Sequence, residues 1–388
     1  MIEYLFIFLL VLAALLSIFY FFLIAFYCYG WTQTNSLSVN VQVKTFVSVI
    51  IVARNEEENI LNCLNAIANQ SFPEQLIEII VVDDDSEDDT NKIVKEFSTC
   101  YKNLKLISLK NKKVNSGKKA GISSAIKIAK GKLIVTTDAD CVMGEKWLLT
   151  IVSNYEQTQA KMIVSPICFY NEKTILEKMQ SLELNALITS SGASLYFNSA
   201  IMCNGANLAY TKEVFDDING YEGIDKLATG DDVLLMYKVN RKYPKSIYFI
   251  KNQDAIVYTK PKRTVKQFVN QRIRWASKGF FSLNSDTKVV SLIVFMMNSL
   301  MLILPFALFV HFEQPFLNNH FLEIYFILFV IKCLIDFLLL FLGASFFNNK
   351  KYLIYFLPEQ ILYSFYVVLI SVLGIFKKYE WKDMKSNN

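Results

Sequence analysis

Phe46 to Ala53 reads F-V-S-V-I-I-V-A, and the chain then turns abruptly polar through Arg54-Asn55-Glu56-Glu57-Glu58. A short β-branched run bounded by charge has the character of a parallel strand buried on both faces. Three further runs share it, at Leu76 to Val82, Leu104 to Leu109 and Leu133 to Thr137. Between them the pattern predicts helices near Glu58 to Asn69, Asp88 to Phe97 and Ala120 to Lys130, spaced as βαβ crossovers require. The expected fold class is α/β with a doubly wound sheet.

Ligands of such sheets sit beyond the carboxyl ends of the strands, so the residues leaving each strand are where chemistry is sought. They are unusually acidic. The second strand exits into Asp83-Asp84-Asp85-Ser86-Glu87-Asp88-Asp89-Thr90, and the fourth into Asp138-Ala139-Asp140. Two readings stay open. Asp and Glu are good helix caps and first-turn residues, which accounts for part of the Asp83 to Asp89 cluster. Paired carboxylates past a strand end also suit Mg²⁺ or Mn²⁺, hard cations that carry the phosphates of a nucleotide.

Outside this segment the composition changes. The chain has 388 residues, 53% of them hydrophobic, which excludes disordered and collagen-like classes. Residues 1 to 31 contain no Lys or Arg, and residues 289 to 388 hold only seven of the forty. The run Ile2 to Tyr27 is long enough to cross a bilayer, and too long, without a basic start, for a cleaved signal peptide. Further spans are expected at Val289 to Phe312, Phe321 to Leu342 and Leu353 to Phe376. In the second of these Lys332 and Asp336 lie four apart, placed to pair inside a bundle rather than face lipid. Four parts are expected: an anchor at 1–31, a catalytic domain at 32–288, membrane or interfacial helices at 289–376, and a polar tail at 377–388.

Residues 32 to 288 hold 33 basic and 28 acidic residues, a balance of +5 that suits a membrane face or an anionic ligand and is too weak for nucleic acid. The positive-inside rule makes this segment cytoplasmic in a multi-pass protein of the cell membrane. Pro358 and Glu359 interrupt the last apolar run, which leaves the side of the tail open, with its Lys377, Lys378, Lys382 and Lys385. Seven cysteines are scattered without a C-x-x-C pair and are expected reduced. His311 and His320 fall at span ends and are read as interfacial.

The order of motifs is V-x-V-I-I-V-A-R-N-E-E, V-V-D-D-D-S, T-D-A-D, G-D-D at 230 to 232 and Q-R-I-R-W at 271 to 275. It resembles the membrane-bound family-2 glycosyltransferases, a group that includes polysaccharide synthases and ceramide glucosyltransferases. The resemblance runs from residue 46 to about 280 and implies a GT-A-like sheet domain flanked by transmembrane helices. It implies a nucleotide-sugar donor, of UDP type, and a glycan or lipid acceptor at the bilayer. By the same resemblance Asp83 and Asp84 face the nucleotide, with Glu56 near the same pocket. Asp85 stands where the family usually has glycine, at a tight turn. Lys119-Ala120-Gly121 resembles the family's K-A-G stretch, in which the lysine reaches the nucleotide; the other reading is a solvated run with Lys110, Lys112, Lys113 and Lys118.

Asp138 and Asp140 are implied as holders of the metal and, through it, of the donor diphosphate. Asp232 matches the family's general base, with Asp231 as a like-charge neighbour that would raise one of the two pKa values. Its other reading is a helix cap before Val233. In Q-x-x-R-W, Arg274 suits the diphosphate by its rigid fork, while Gln271 and Trp275 are implied at the acceptor. That stretch also reads as an amphipathic helix, Thr264 to Phe281, lying on the bilayer. Cys203-Asn204-Gly205-Ala206-Asn207 resembles the acceptor-side wall. The competing function is a non-catalytic membrane partner in an export or assembly complex.

Overall fold

A computed structural model of the chain describes residues 2–109, 117–225, 230–280, 284–309, 315–376, 380–381 and 384–385. The expectations for Lys110, Lys112, Lys113, Lys377, Lys378, Lys382 and His311 lie outside the described residues. The chain divides into two compact units: 33–172 with 194–261, and 1–32 with 173–193 and 262–388.

The first unit is built on β1 (Val47–Ala53), β2 (Ile77–Asp83), β3 (Leu104–Ser108) and β4 (Leu133–Asp138). These are the four apolar runs, and β2 is buried at every position. Between them lie α2 (Ile60–Ala68), α3 (Thr90–Cys100) and α4 (Lys118–Ile128), following the N-terminal helix α1 (Ile2–Gln33). The chain continues through β5 (Val142–Met143), α5 (Trp147–Thr158), β6 (Met162–Val164), β7 (Ile167–Phe169), α6 (Ile175–Tyr196), β8 (Leu208–Thr211), α7 (Lys212–Asp217), α8 (Val233–Lys242), β9 (Ile247–Phe249) and β10 (Val257–Thr259).

The main sheet has the order β3-β2-β1-β4-β8-β6-β9, and β5-β10-β7 form a smaller one. β1 pairs in parallel with both β2 and β4, whereas β8 runs antiparallel to β4 and β6. The chain moves outward from β1 to β3 and then returns to place β4 on the other side of β1. That reversal opens a crevice at the carboxyl ends of β1 and β4. Register sets what stands there: Asp83 is opposite Ala53, and Asp138 opposite Val52.

The second unit holds four helices long and apolar enough to cross a membrane, at Glu3–Gln33, Ser285–Ala307, His320–Phe346 and Lys350–Gly374. They correspond to α1, α10 (Ser285–Ile303), α11 (Pro315–Phe346) and α12 (Phe356–Phe376), and α9 (Val265–Phe280) precedes them. Large apolar side chains of α1, among them Phe8, Phe19 and Phe22, are exposed. Pro358 does not break α12, because in a first turn its missing amide would have had no helical partner. Lys332 and Asp336 pair at 2.8 Å with Lys332 only 1% exposed, and Gln360 and Tyr20 complete their hydrogen bonds at 2.9 and 2.7 Å.

α6 was not foreseen. It belongs to the helical unit over residues 173–193, although its chain neighbours on both sides lie in the sheet unit. Its Gln180, Ser181, Asn185 and Thr189 are all buried, so this helix meets protein where a spanning segment would meet lipid.

Candidate active site

The two acidic loops leaving β1 and β2 bind each other. Asn55 and Glu87 are joined by a backbone donation to Asn55 Oδ1 at 2.9 Å, and the Glu56 amide donates to Thr90 Oγ1 at 2.7 Å. Glu57 and Asp88 exchange roles across the gap: the Glu57 amide donates to Asp88 and the Asp89 amide to Glu57, each at 3.0 Å. Asp88 also accepts from the Thr90 amide and hydroxyl. Burial tends to raise the Asp88 carboxyl, but these hydrogen bonds prevail and hold it below the ordinary range. For Glu57 and Asp88 the capping reading is the one realised.

Asp83 and Asp84 are different, being 4% and 1% exposed. Asp83 accepts from the Ser86 amide at 3.1 Å and from Asn91 Nδ2 at 2.7 Å. Asp84 accepts the Gly117 amide at 3.2 Å with either oxygen. Gly117 has φ +102°, in the left-handed region, and directly precedes α4. Asp85 adopts φ +59°, the strained turn for which glycine is the usual solution.

The lysine that enters the acidic crevice is Lys118, one residue before the expected one. Its ammonium lies 2.6 Å from Asp138 Oδ1 and 3.2 Å from Asp231 Oδ2. Burial would lower its pKa, but Asp138, Asp231 and Asp232 outweigh burial and hold it charged, well above the ordinary lysine range. Lys119 instead donates to the Ile224 carbonyl at 2.6 Å. In the K-A-G stretch Gly121 serves packing, since a Cβ there would stand 2.9 Å from the Val52 side chain.

Asp232 caps α8: one oxygen accepts from the Val233 amide at 2.7 Å and the other from the Gly205 amide at 3.2 Å. Capping leaves it at the same locus as Asp231, whose like charge is met by Lys118. Gly205 is demanded by crowding, because a Cβ would lie 3.0 Å from Asp231 Oδ2 and 3.1 Å from Lys118 Nζ. Asn207 of the same segment is internal, with its amide held by the carbonyls of Pro166 and Ala255 and by Trp147.

Asp138, Asp140 and Glu56 all act on the thiol of Cys63, which burial and then these carboxylates push upward. Among the described residues there is no group of three or more His, Cys, Asp or Glu placed to enclose a metal ion. Asp138 and Asp140, one residue apart past β4, nevertheless fit a hard divalent cation whose remaining ligands are phosphate oxygens and water. The cationic head of Lys118 on Asp138 marks where positive charge is accepted.

Gln271, Arg274 and Trp275 lie on α9 of the helical unit, each half-buried, and are not in the unit that carries the acids. Gln271 accepts from its neighbour Arg272 at 2.6 Å. Arg272 also lies 4.2 Å over the Trp275 ring.

With this geometry in place, the profile of Glycosyl transferase family 2 matches residues 48–218, from β1 through the end of α7. Over these residues the chain is similar to the family 2 glycosyltransferases. Among similar proteins, glycosyltransferase AglE of Haloferax volcanii is 30% identical over 48% of this chain and 59% of its own length. The poly-beta-1,6-N-acetyl-D-glucosamine synthase of Staphylococcus epidermidis is 26% identical over 64% of this chain and 60% of its own. The chain thus spans about three fifths of these relatives. A mannosyltransferase of Pyrobaculum calidifontis, solved with GDP-Man and Mn²⁺, superposes with TM-score 0.58 at 16% identity, covering 97% of this chain and 100% of that one. It shares the GT-A type of mixed sheet.

The two sites that the sequence misplaces or misses are Lys118 and Arg272. Gly117 before the first helical residue is the local signal for Lys118. Arg272 had none, because its partners are remote in sequence.

Proposed function

We propose that the protein is an inverting, metal-dependent hexosyltransferase of the cell membrane. Its catalytic domain faces the cytoplasm, and it moves a sugar from a nucleotide donor to a polysaccharide or lipid acceptor. The observation that carries this is the pairing of Asp138 and Asp231 with one ammonium, that of Lys118, beside Asp232 at the carboxyl edge where the sheet reverses. Supporting it are the GDP-Man and Mn²⁺ of the mannosyltransferase neighbour and the polymer made by the staphylococcal relative. Four helices of spanning length support the membrane setting.

Asp83, Asp84 and Glu56 line the nucleotide in this reading, a UDP-type donor being preferred, and Lys118 takes the place expected of Lys119. A divalent cation held by Asp138 and Asp140 would neutralise charge gathering on the departing diphosphate. Asp232 takes the proton of an acceptor hydroxyl. The freed oxygen bonds to the anomeric carbon while the bond from that carbon to the diphosphate oxygen breaks on the opposite face, and the electron pair leaves with the nucleotide. Arg274 keeps the role its motif implies, toward the diphosphate, and Gln271 and Trp275 theirs, toward the acceptor.

The test is a screen of UDP- and GDP-sugars with membranes carrying the protein, reading nucleotide release, product size and lipid solubility. Release from one donor, lost in Asp232→Asn, is the expected result. No release from any donor by a protein that still binds nucleotide would favour a non-catalytic partner in an assembly complex.

A further inference from the structure

The first arginine of Gln271-Arg272-Ile273-Arg274-Trp275 has so far been given no task. It is 3% exposed in a helix where Gln271, Arg274 and Trp275 are half-buried. Its Nε and Nη2 donate to Glu183 Oε2 at 2.9 and 2.6 Å, and its Nη1 donates to Gln271 Oε1 at 2.6 Å. The guanidinium carbon lies over two rings of its own helix, Phe268 at 4.7 Å and Trp275 at 4.2 Å. Positions 268, 272 and 275 are spaced i, i+4 and i+7, so they fall on one helix face.

The partners are themselves fixed. The other Glu183 oxygen accepts from the Tyr366 hydroxyl at 2.6 Å, and the Tyr366 ring stacks on Phe268 with centroids 5.4 Å apart. Glu183 belongs to α6 and Tyr366 to α12, so three helices of the helical unit meet at one carboxylate whose side chain is 11% exposed. The guanidinium is engaged through three of its nitrogens and packed by two aromatic rings. A group so enclosed cannot also reach a diphosphate or a sugar.

We propose that Arg272 is a positioning residue: clamped by Glu183 and Tyr366, it orients the Gln271 amide and covers one face of Trp275, leaving the opposite face as the one that receives the acceptor. The inference rests on the acceptor role assigned to Gln271 and Trp275 above. It makes a fork and a flat cation necessary at 272, where a point charge would pair with Glu183 and lose the stacking.

Arg272→Lys and Glu183→Gln test it in the full-length protein, in detergent, with the donor found by the screen above. Both should lower transfer to acceptor, by about 10²-fold as is usual for a misplaced reacting partner, while nucleotide affinity stays at the parent value. Tyr366→Phe, which removes one hydrogen bond and keeps the ring stack, should show the same loss in smaller measure and guards against misfolding of the charge variants. Biosynthetic 5-fluorotryptophan gives an independent readout, because the Trp275 ¹⁹F resonance, assigned by its absence in Trp275→Phe, should shift in Arg272→Lys while the other tryptophan resonances stay. An unmoved Trp275 resonance would overturn the clamp, as would unchanged transfer in Arg272→Lys or a fall in nucleotide affinity matching the fall in transfer. Absence of transfer by the parent protein with every donor would defeat the transferase reading alone, and the resonance would still judge the clamp.

Discussion

The carboxyl edge of the sheet and the interior of the helical bundle both bury charge, but they balance it differently. Around Lys118 three carboxylates, from Asp138, Asp231 and Asp232, converge on a single ammonium. Within the bundle two buried pairs are matched one to one, Lys332 with Asp336 and Arg272 with Glu183, and Glu359 is buried beside them with one oxygen outside any hydrogen bond. A matched buried pair with its remaining lone pairs satisfied holds helices together and has no need of a ligand. Carboxylates gathered at a sheet edge around a lysine are suited to receive positive charge from outside. The difference teaches where to expect a cation and its phosphate, and where to expect scaffold.

The largest expected effect comes from removing the proposed base at the sheet edge. Asp232→Asn should lower transfer by about 10² to 10⁴, measured as product formed at saturating donor. A residual rate near that of the parent would make Asp232 a cap of α8 and nothing more. Next is the central ammonium. Lys118→Met strands Asp138 and Asp231, and thermal unfolding should show a loss of roughly 1–3 kcal/mol. Because Lys118 is held above the ordinary lysine range, its contribution is present in full below about pH 10 and disappears only in stronger alkali. Added Mn²⁺ should restore more stability to Lys118→Met than it adds to the parent, if the edge seeks cations; equal gains would erase the contrast with the bundle.

The parallel half of the sheet was legible because β-branched runs between turn-forming residues leave few alternatives; the four expected strands match β1 to β4 to within a residue or two. The strands β6 to β10 were not, since runs of three or four residues carry no readable alternation. α6 escaped notice for another reason: its buried side chains mix Leu182 and Ile188 with Gln180, Asn185 and Thr189, and burial of polar groups against protein leaves no hydropathy signal. The acidic loops could be seen but not sorted. Asp88 caps across a gap of 31 residues to Glu57, and only the fold separates it from Asp84, which secures Gly117. The choice between Lys118 and Lys119 turns on helix phase, where one residue rotates a side chain by about 100°.

The smallest effect concerns the turn itself. Asp85→Gly relieves a residue at φ +59° and should stabilise the protein by roughly 1 kcal/mol, seen as a higher melting temperature with transfer intact. A loss of stability would mean that contacts of the Asp85 side chain outweigh its backbone strain.

The central claim is that the carboxylates past β4 serve the cation while Asp232 serves the proton. Titration of nucleotide affinity against Mn²⁺ in the parent, Asp140→Asn and Asp232→Asn separates them in one measurement. The account predicts that Asp140→Asn loses the Mn²⁺-dependent part of the affinity and that Asp232→Asn keeps it. Equal loss in both variants, or Mn²⁺-independent affinity in the parent, would contradict it.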